Sequence, residues 1–196
     1  MSRYLAPLLL CFLIISCRPE TYIPKPRGYY LIETPPHTYQ HFDQPGFPYS
    51  FDYPTYAVIT RDTAYFGEKP ENPYWLYIDF PTLGGRIYLS YKQISAQQPL
   101  GKLLEDAHKL SFFHDKRADF IHDSAFQLLN NVYGIAFNVG GDAASAYQFI
   151  ATDTVKHWIR AALYFDVTPN ADSLKPVNNF LKVDMEHMLH TLRWKY

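Results

Sequence analysis

The stretch that decides the fold is Lys156-His157-Trp158-Ile159-Arg160-Ala161-Ala162-Leu163-Tyr164-Phe165-Asp166. Its apolar side chains recur at every second position, a period that predicts a β-strand with one face turned toward a core. The side chains expected on that face are His157, Ile159, Ala161, Leu163 and Phe165, and those expected opposite are Lys156, Trp158, Arg160, Tyr164 and Asp166. A histidine on an apolar face is ordinarily a hydrogen-bonded core residue, so we expect His157 to be buried and paired.

Further alternating segments lie on both sides of this strand. Tyr74–Phe80 and Arg86–Tyr91 flank a turn that contains proline and glycine, a pattern typical of a β-hairpin. Alternation returns in residues 133–139 and 147–151, which flank Gly140-Gly141-Asp142 as a second turn. Because consecutive strands joined by short turns run in opposite directions, these segments predict an antiparallel sheet.

Two segments have the apolar spacing of helices. The first begins near Pro99 and the second follows residues 169–173, where Asp172 or Ser173 can cap a helix that has Pro176 in its first turn. Their apolar stripes are Leu100, Leu103, Leu104, Ala107 and Leu110 in the first, and Val177, Phe180, Leu181, Met185, Met188, Leu189 and Leu192 in the second. We therefore predict an α+β fold, an antiparallel sheet with the helices packed on one face. The order of elements resembles that of the PsbP/Mog1-like α/β sandwiches.

The first sixteen residues have the layout of a secretory signal. Arg3 precedes an apolar block, Leu5–Ile15, that is too short to span a bilayer. In Ile14-Ile15-Ser16-Cys17, a branched aliphatic residue three positions before a cysteine and a serine directly before it match the bacterial lipobox. We predict cleavage before Cys17 and acylation of its thiol, with palmitate among the chains attached. The alternative is an ordinary signal peptide, or an uncleaved anchor, that happens to contain a cysteine.

The segment after Cys17 is a Pro-rich tether. Pro19, Pro24 and Pro26 exclude a helix, and a Pro-rich chain rises about 3.1 Å per residue, so this segment can reach roughly 30 Å from the lipid. The predicted organisation is a lipoprotein signal peptide at 1–16, the lipidated cysteine and tether at 17–28, and a single globular domain at 29–196.

Composition restricts the chemistry of the mature chain. Cys11 and Cys17 are the only cysteines, so the mature chain has neither a disulfide nor a free nucleophilic thiol once Cys17 is acylated. Stability must come from apolar burial, for which 17 Tyr, 14 Phe and 3 Trp supply large side chains. The net charge is −1 and no long basic run occurs, which argues against binding to nucleic acid.

The sequence contains no strong catalytic signature. It lacks a Gly-x-Ser-x-Gly elbow, a phosphate-binding glycine loop and a His-Glu-x-x-His motif. His187 and His190 are three residues apart on the last helix, with Asp184 and Glu186 nearby, but two imidazoles without a third spaced ligand are a weak metal signal. We therefore expect surface or packing histidines, no catalytic residues, no metal and no cofactor.

Tyrosines crowd the Pro-rich stretch between Tyr29 and Tyr56. Their spacing is too irregular for alternation to bury them all, and tyrosine is common where proteins or carbohydrates bind. The candidate partner-binding residues are Tyr39, Tyr49, Tyr53 and Tyr56, and we expect at least one pair of tyrosines between Tyr39 and Tyr56 to be exposed. The alternative is that the stretch wraps the sheet and buries its rings there.

With these residues in view, the chain resembles the gliding motility lipoprotein GldD family of Bacteroidetes. The matching stretches are Pro24-Lys25-Pro26-Arg27-Gly28-Tyr29, Pro48-Tyr49-Ser50-Phe51-Asp52-Tyr53-Pro54-Thr55-Tyr56-Ala57, Tyr74-Trp75, Leu89-Ser90-Tyr91-Lys92, Val132-Tyr133-Gly134-Ile135, Thr152-Asp153 with His157, Ala162-Leu163-Tyr164-Phe165, Pro169-Asn170-Ala171-Asp172-Ser173-Leu174 and Trp194-Lys195. A glycine usually precedes Ala-Leu-Tyr-Phe in the family, and Ala161 stands in its place here. The resemblance implies no known catalytic residues, so it carries over Cys17 alone.

The resemblance implies a part in gliding motility and in the type IX secretion machinery linked to it. Our first hypothesis is a non-catalytic, membrane-anchored lipoprotein that supports assembly or stability of that machinery through other envelope proteins. In Bacteroidetes lipoproteins, an acidic cluster after the lipidated cysteine accompanies display on the cell surface. No such cluster follows Cys17, so we expect the domain to face the periplasm. The alternatives are a membrane-tethered periplasmic hydrolase that acts on envelope material, and a lipoprotein that binds a glycan or a small ligand.

Overall fold

The computed structural model describes Gly28 and residues 31–61, 70–113 and 117–195. The predicted signal peptide, Cys17 and nearly all of the tether lie outside the described residues. By internal contacts the chain divides into Met1–Leu31 and Ile32–Tyr196. All of the elements described below belong to the second unit.

The described residues form ten strands and two helices. In chain order they are β1 (Tyr39–Phe42), β2 (Tyr49–Pro54), β3 (Val58–Arg61), β4 (Leu76–Phe80), β5 (Gly85–Gln93), α1 (Leu100–Phe112), β6 (Ala118–Leu128), β7 (Val132–Gly141), β8 (Tyr147–Thr152), β9 (His157–Phe165), α2 (Ala171–Thr191) and β10 (Arg193–Trp194). The predicted α+β class with antiparallel strands and packed helices is therefore confirmed.

The main sheet has seven strands in the order β3-β4-β5-β9-β8-β7-β6, and every neighbouring pair is antiparallel. The strand that decides the fold, β9, lies in the middle of this sheet. It pairs with β5 from His157↔Gln93 to Phe165↔Gly85, and on its other side with β8. Both hairpins expected from the sequence are present, as β4–β5 and β7–β8.

One face of the sheet packs against α2. Ile159, Ala161 and Leu163 of β9 belong to the same buried cluster as the apolar stripe of that helix. The buried members of the stripe in this cluster are Val177, Leu181, Met185, Met188, Leu189 and Leu192. The helix begins two or three residues earlier than expected, because the cap is Asn170 and not Asp172 or Ser173. The Asn170 side chain accepts a hydrogen bond from the Ser173 N–H at 2.9 Å.

The other face of the sheet packs against α1. Leu103 and Ala107 of α1 form a second buried cluster with Phe137, Ile150 and Trp158. Since Ile159 and Trp158 are neighbours on one strand, their side chains point to opposite faces. The expectation that both helices share one face is therefore wrong. The residues Trp158 and Arg160, which alternation placed opposite the core, are buried beneath α1.

A small sheet of three strands, ordered β1-β2-β10, accompanies the main sheet. Both β1 and β10 are antiparallel to β2, and β2 contacts α2. The rings of Phe42, Phe47, Tyr49 and Phe51 are buried in this region. Much of the Tyr-rich stretch therefore belongs to the core, as the alternative interpretation of that stretch proposed.

Candidate functional site

A carboxylate lies within the apolar stripe of α2. Asp184 is one turn from Leu181 and next to Met185, both of which are buried, and only 1% of Asp184 is exposed. A buried carboxylate is costly unless its oxygens are hydrogen-bonded, because the charged group has lost its water. Asp184 and the groups that hydrogen-bond to it are therefore the first candidates for a functional site.

Three hydrogen-bond donors contact this carboxylate. One lies just before β1, one is on β1 and one is in the turn between β2 and β3. His37 Nδ1 lies 2.7 Å from Asp184 Oδ1, and the Tyr39 hydroxyl donates to the same oxygen at 3.1 Å. The Tyr56 hydroxyl donates to Oδ2. We call these four residues, His37, Tyr39, Tyr56 and Asp184, the Asp184 cluster.

Aromatic stacking supports the cluster on both sides. The His37 ring stacks on Phe180 with centroids 4.3 Å apart, and the Tyr39 ring stacks on His187 at 3.6 Å. His187 Nε2 in turn lies 3.6 Å from a carboxylate oxygen of Asp52 on β2. These contacts connect α2 to the small sheet through residues far apart in sequence.

The electrostatics of the cluster favour a structural role. Burial, the charge of Asp184 and the hydrogen bond to it raise the pKa of Tyr39 to about 12. Burial and the hydrogen bond to Asp184 raise the pKa of Tyr56 as well. Both hydroxyls therefore stay protonated and donate at neutral pH, whereas a general base or acid works best with a pKa near the working pH. The cluster holds β1 and the β2–β3 turn against α2.

The four predicted partner-binding tyrosines have different surroundings. Tyr39 and Tyr56 belong to the Asp184 cluster, and Tyr53 is half-buried against the core. Tyr49 is 0% exposed and its hydroxyl donates to the Tyr74 carbonyl, so the prediction that Tyr49 contacts a partner is wrong. None of the four is exposed, so the expectation of an exposed pair of tyrosines between Tyr39 and Tyr56 is wrong. A docking role for Tyr39, Tyr53 and Tyr56 stays a prediction.

The histidines singled out by the sequence are also placed. His157 is buried, and its Nδ1 and the Tyr91 hydroxyl are 2.8 Å apart, so the expectation of a hydrogen-bonded core histidine is confirmed. Burial lowers the pKa of His157, which therefore remains neutral at pH 7. His190 is exposed and hydrogen-bonds through Nδ1 to the Glu186 carbonyl one turn before it, so His190 and His187 make separate contacts. The described ranges contain no group of three His, Cys, Asp or Glu arranged to hold a metal.

A second set of aromatic residues lies on the face of the sheet opposite α2. Tyr77 of β4, Tyr88 of β5 and Tyr164 of β9 are half-buried neighbours. The rings of Tyr77 and Tyr88 are 5.1 Å apart at 71°, and those of Tyr88 and Tyr164 are 5.5 Å apart at 89°. The Arg86 guanidinium lies over the Tyr77 ring at 4.8 Å and pairs with the Asp79 carboxylate. We call these five residues the tyrosine face.

Sequence reasoning missed both sets, although each left a signal. Asp184 lies one helical turn from both Leu181 and Met188, on the apolar side of α2. An acidic residue in that position needs a hydrogen-bond donor or a positive charge beside it. Tyr77, Arg86, Tyr88 and Tyr164 fall on the second face of strands that alternation had already identified. What alternation cannot show is that these strands lie side by side, which depends on the position of β9 between β5 and β8.

Comparison with known proteins now adds the family. The family model described as gliding motility lipoprotein GldD matches residues 19–194, a range that includes all the strands and helices of the described residues. The chain belongs to the GldD family. The resemblance inferred from motifs is thus confirmed, and with it a role in gliding motility and an envelope location as a membrane-anchored lipoprotein.

The remaining comparisons give less information about this GldD-family chain. Comparison with curated protein sequences gave no significant match. Among solved structures, the chain is similar to the solution structure of cyanobacterial PsbP (CyanoP) from Synechocystis sp. PCC 6803, with 10% identity and a TM-score of 0.47 over 88% of this chain and 99% of that one. Neither helix in the described ranges has the length and apolar character needed to cross a membrane.

Proposed function

We propose that this GldD-family chain is a non-catalytic lipoprotein, anchored through Cys17 with its domain in the periplasm, that supports assembly or stability of the gliding and type IX secretion machinery. It acts by binding other envelope proteins of that machinery. The family membership supports the motility role. The tyrosine face is the observation that carries the binding role.

The side chains of the tyrosine face are those that dominate protein interfaces. Tyrosine and arginine are enriched among residues whose truncation costs the most binding energy. Tyr88 contacts the rings of both Tyr77 and Tyr164, so the three rings form one half-buried surface with little rotamer entropy left to lose. Arg86 and Asp79 add a charge of each sign beside the rings, which suits a polar protein surface.

The ring angles favour a protein over a glycan as the partner. A sugar ring stacks best on flat, parallel aromatic surfaces, but neighbouring rings here are turned 71° and 89° from each other. The hydrolase alternative would need an acid or base free to act on a substrate. The oxygens of Asp184, its best candidate, already accept from His37, Tyr39 and Tyr56.

Replacing Tyr88 by Ser tests the binding role, because it removes the central ring of the face. Tyr133→Ser is a matched control, since Tyr133 is a half-buried tyrosine on β7, away from the face. Each variant would be expressed in a gliding host that lacks its own copy, and colony spreading and type IX secretion would be scored. We expect Tyr88→Ser to melt within a few degrees of the wild type yet reduce spreading severalfold, while Tyr133→Ser spreads normally.

Normal spreading by a folded, normally abundant Tyr88→Ser protein would show that the central ring alone is not required. The double variant Tyr88→Ser/Tyr164→Ser guards against a partner that tolerates loss of one ring. If this double variant also folds and spreads normally, binding does not use the tyrosine face.

A further inference from the structure

Three buried hydrogen-bond donors beneath α1 have no acceptor among the described residues. They are the Gln148 side-chain amide, the Trp158 indole N–H and the Arg160 Nε–H. Gln148 is 1% exposed, Trp158 4% and Arg160 8%, so bulk water does not act as the acceptor for these donors. Buried donors without acceptors are rare in proteins, and each costs free energy until something accepts its hydrogen.

The three side chains lie together on one face of the sheet. Arg160 is paired with Ile150 across β9 and β8, and Ile150 faces α1. Trp158 is two residues before Arg160, and Gln148 is two residues before Ile150, so both point to the same side. We call Gln148, Trp158 and Arg160 the donor cluster.

The orientation of the Gln148 amide is fixed by its neighbours. Its Oε1 accepts from the Arg160 guanidinium and, at 3.4 Å, from the Ser111 hydroxyl of α1. Only the oxygen can accept from a guanidinium, so a flipped amide would place donor against donor. The amide nitrogen therefore remains a donor that has no partner among the described residues.

The charge of Arg160 also lacks a counter-ion within the described part of the chain. None of the salt bridges among the described residues involves Arg160. A guanidinium stays charged in a protein, and burial of an unpaired charge is costly. The other two indoles show what is usual here, since Trp75 donates to the Tyr91 carbonyl at 2.7 Å and Trp194 to the Asn131 carbonyl at 3.2 Å.

We propose that the donor cluster binds a small oxyanion, a carboxylate or a phosphate group, in the layer between α1 and the sheet. Such a group supplies a negative charge for Arg160 and several acceptor lone pairs for the amide and the indole. The guanidinium fork suits both carboxylate and phosphate geometry. This site lies under α1 and is independent of the proposed binding role of the tyrosine face.

The Trp158 indole gives a direct readout of binding. The full chain, ¹⁵N-labelled and purified in detergent micelles, would be titrated with sodium phosphate and, separately, with sodium acetate. Sodium chloride at matched ionic strength and pH is the control. We expect a saturable shift of the Trp158 indole N–H resonance, assigned by Trp158→Phe, while the Trp75 and Trp194 resonances stay in place. The stronger of the two titrations identifies the source of the oxyanion.

The substitution Gln148→Glu tests the same site by placing a carboxylate beside Arg160. The new carboxylate would pair with Arg160, so oxyanion affinity should fall by about tenfold or more and the melting temperature should rise in oxyanion-free buffer. Gln148→Met is the control, because it removes the amide without adding a charge. Circular dichroism reports whether each variant folds.

The wild-type titration alone can overturn the proposal. If neither oxyanion shifts the Trp158 resonance, or if chloride shifts it equally, water satisfies these donors and the cluster is not a site. Unchanged oxyanion affinity in a folded Gln148→Glu protein would also contradict it.

Discussion

At the scale of single residues, the Asp184 cluster shows how a buried charge can serve a fold. Removing a carboxylate from water costs several kcal/mol, and the hydrogen bonds from His37, Tyr39 and Tyr56 offset that cost. All three donors come from the segment before β3, whereas Asp184 is on the C-terminal helix. The carboxylate therefore stabilises a long-range contact that apolar packing alone would leave less specific.

Replacing Asp184 by Ala should destabilise the domain strongly. His37, Tyr39 and Tyr56 would lose a buried acceptor, so we expect a loss of about 3 kcal/mol in the free energy of unfolding. For a domain of this size the melting temperature should fall by about 6–12 °C. Glu186→Ala on the same helix is the control, because Glu186 makes only a partly exposed ion pair with Lys182 at 3.7 Å.

A second measurement separates the charge from the packing. Asp184→Asn keeps the size of the side chain but removes its charge, so the pKa of Tyr39 should fall from about 12 toward its ordinary value near 10 in an ultraviolet titration. Since burial is the largest cause of the raised pKa, the fall should be partial. If the Tyr39 pKa is unchanged in Asp184→Asn and the melting temperatures of Asp184→Ala and Glu186→Ala are equal, the Asp184 cluster does not stabilise the domain.

How well single residues could be predicted depends on the range of the interaction. The burial of His157 followed from local alternation, which places it beside Ile159 on the core face. Its partner Tyr91 is 66 residues away in sequence, and no local pattern identifies it. Trp158 and Arg160 were assigned to the outer face correctly, but their burial depends on where α1 packs, and alternation does not contain that information.

At the scale of elements, α2 connects the two sheets. Its apolar stripe belongs to the same core cluster as β4, β5, β8 and β9, and its Asp184 side binds the small sheet. The stripe could be predicted because seven apolar residues follow helical spacing. In contrast, β6 was not predicted. It is an edge strand with both faces largely exposed, so it has no apolar alternation to show.

Leu189→Ala should show that α2 is a folding element. Leu189 is buried in the core cluster, and truncation of a buried Leu leaves a cavity that costs about 2–5 kcal/mol. We expect the melting temperature to fall by about 6–12 °C for a loss near 3 kcal/mol. Val183→Ala on the same helix is the matched control, because Val183 is 46% exposed and should change stability by less than about 0.5 kcal/mol. Equal, small effects in both would mean that α2 does not pack on the sheet.

At the scale of the whole molecule, both proposed binding sites lie on one side of the main sheet, where Ala162 is paired with Tyr88 on one side and Gln148 on the other. The tyrosine face and the donor cluster both lie on the side of the main sheet opposite α2, but the first is at the β4–β5–β9 end and the second is beneath α1. A lipid anchor would confine this domain to a thin layer near the membrane. Its effective concentration toward other anchored proteins would then rise, so modest contacts at the tyrosine face would suffice for binding.

The anchor itself gives the last prediction. Each buried acyl methylene contributes about 0.8 kcal/mol to membrane binding, and two or more chains hold a protein at the membrane stably. Cys17→Ala removes the acylated thiol, so we expect loss of radioactive palmitate labelling and a shift of the protein from the membrane pellet to the soluble fraction. Cys11→Ala is the matched control, because Cys11 lies in the segment that cleavage would discard. It should keep both the label and the membrane fraction. If Cys17→Ala protein still takes up palmitate and still sediments with membranes, the lipobox interpretation is wrong, and the periplasmic layer in which the tyrosine face is proposed to meet its partner must be set by another means.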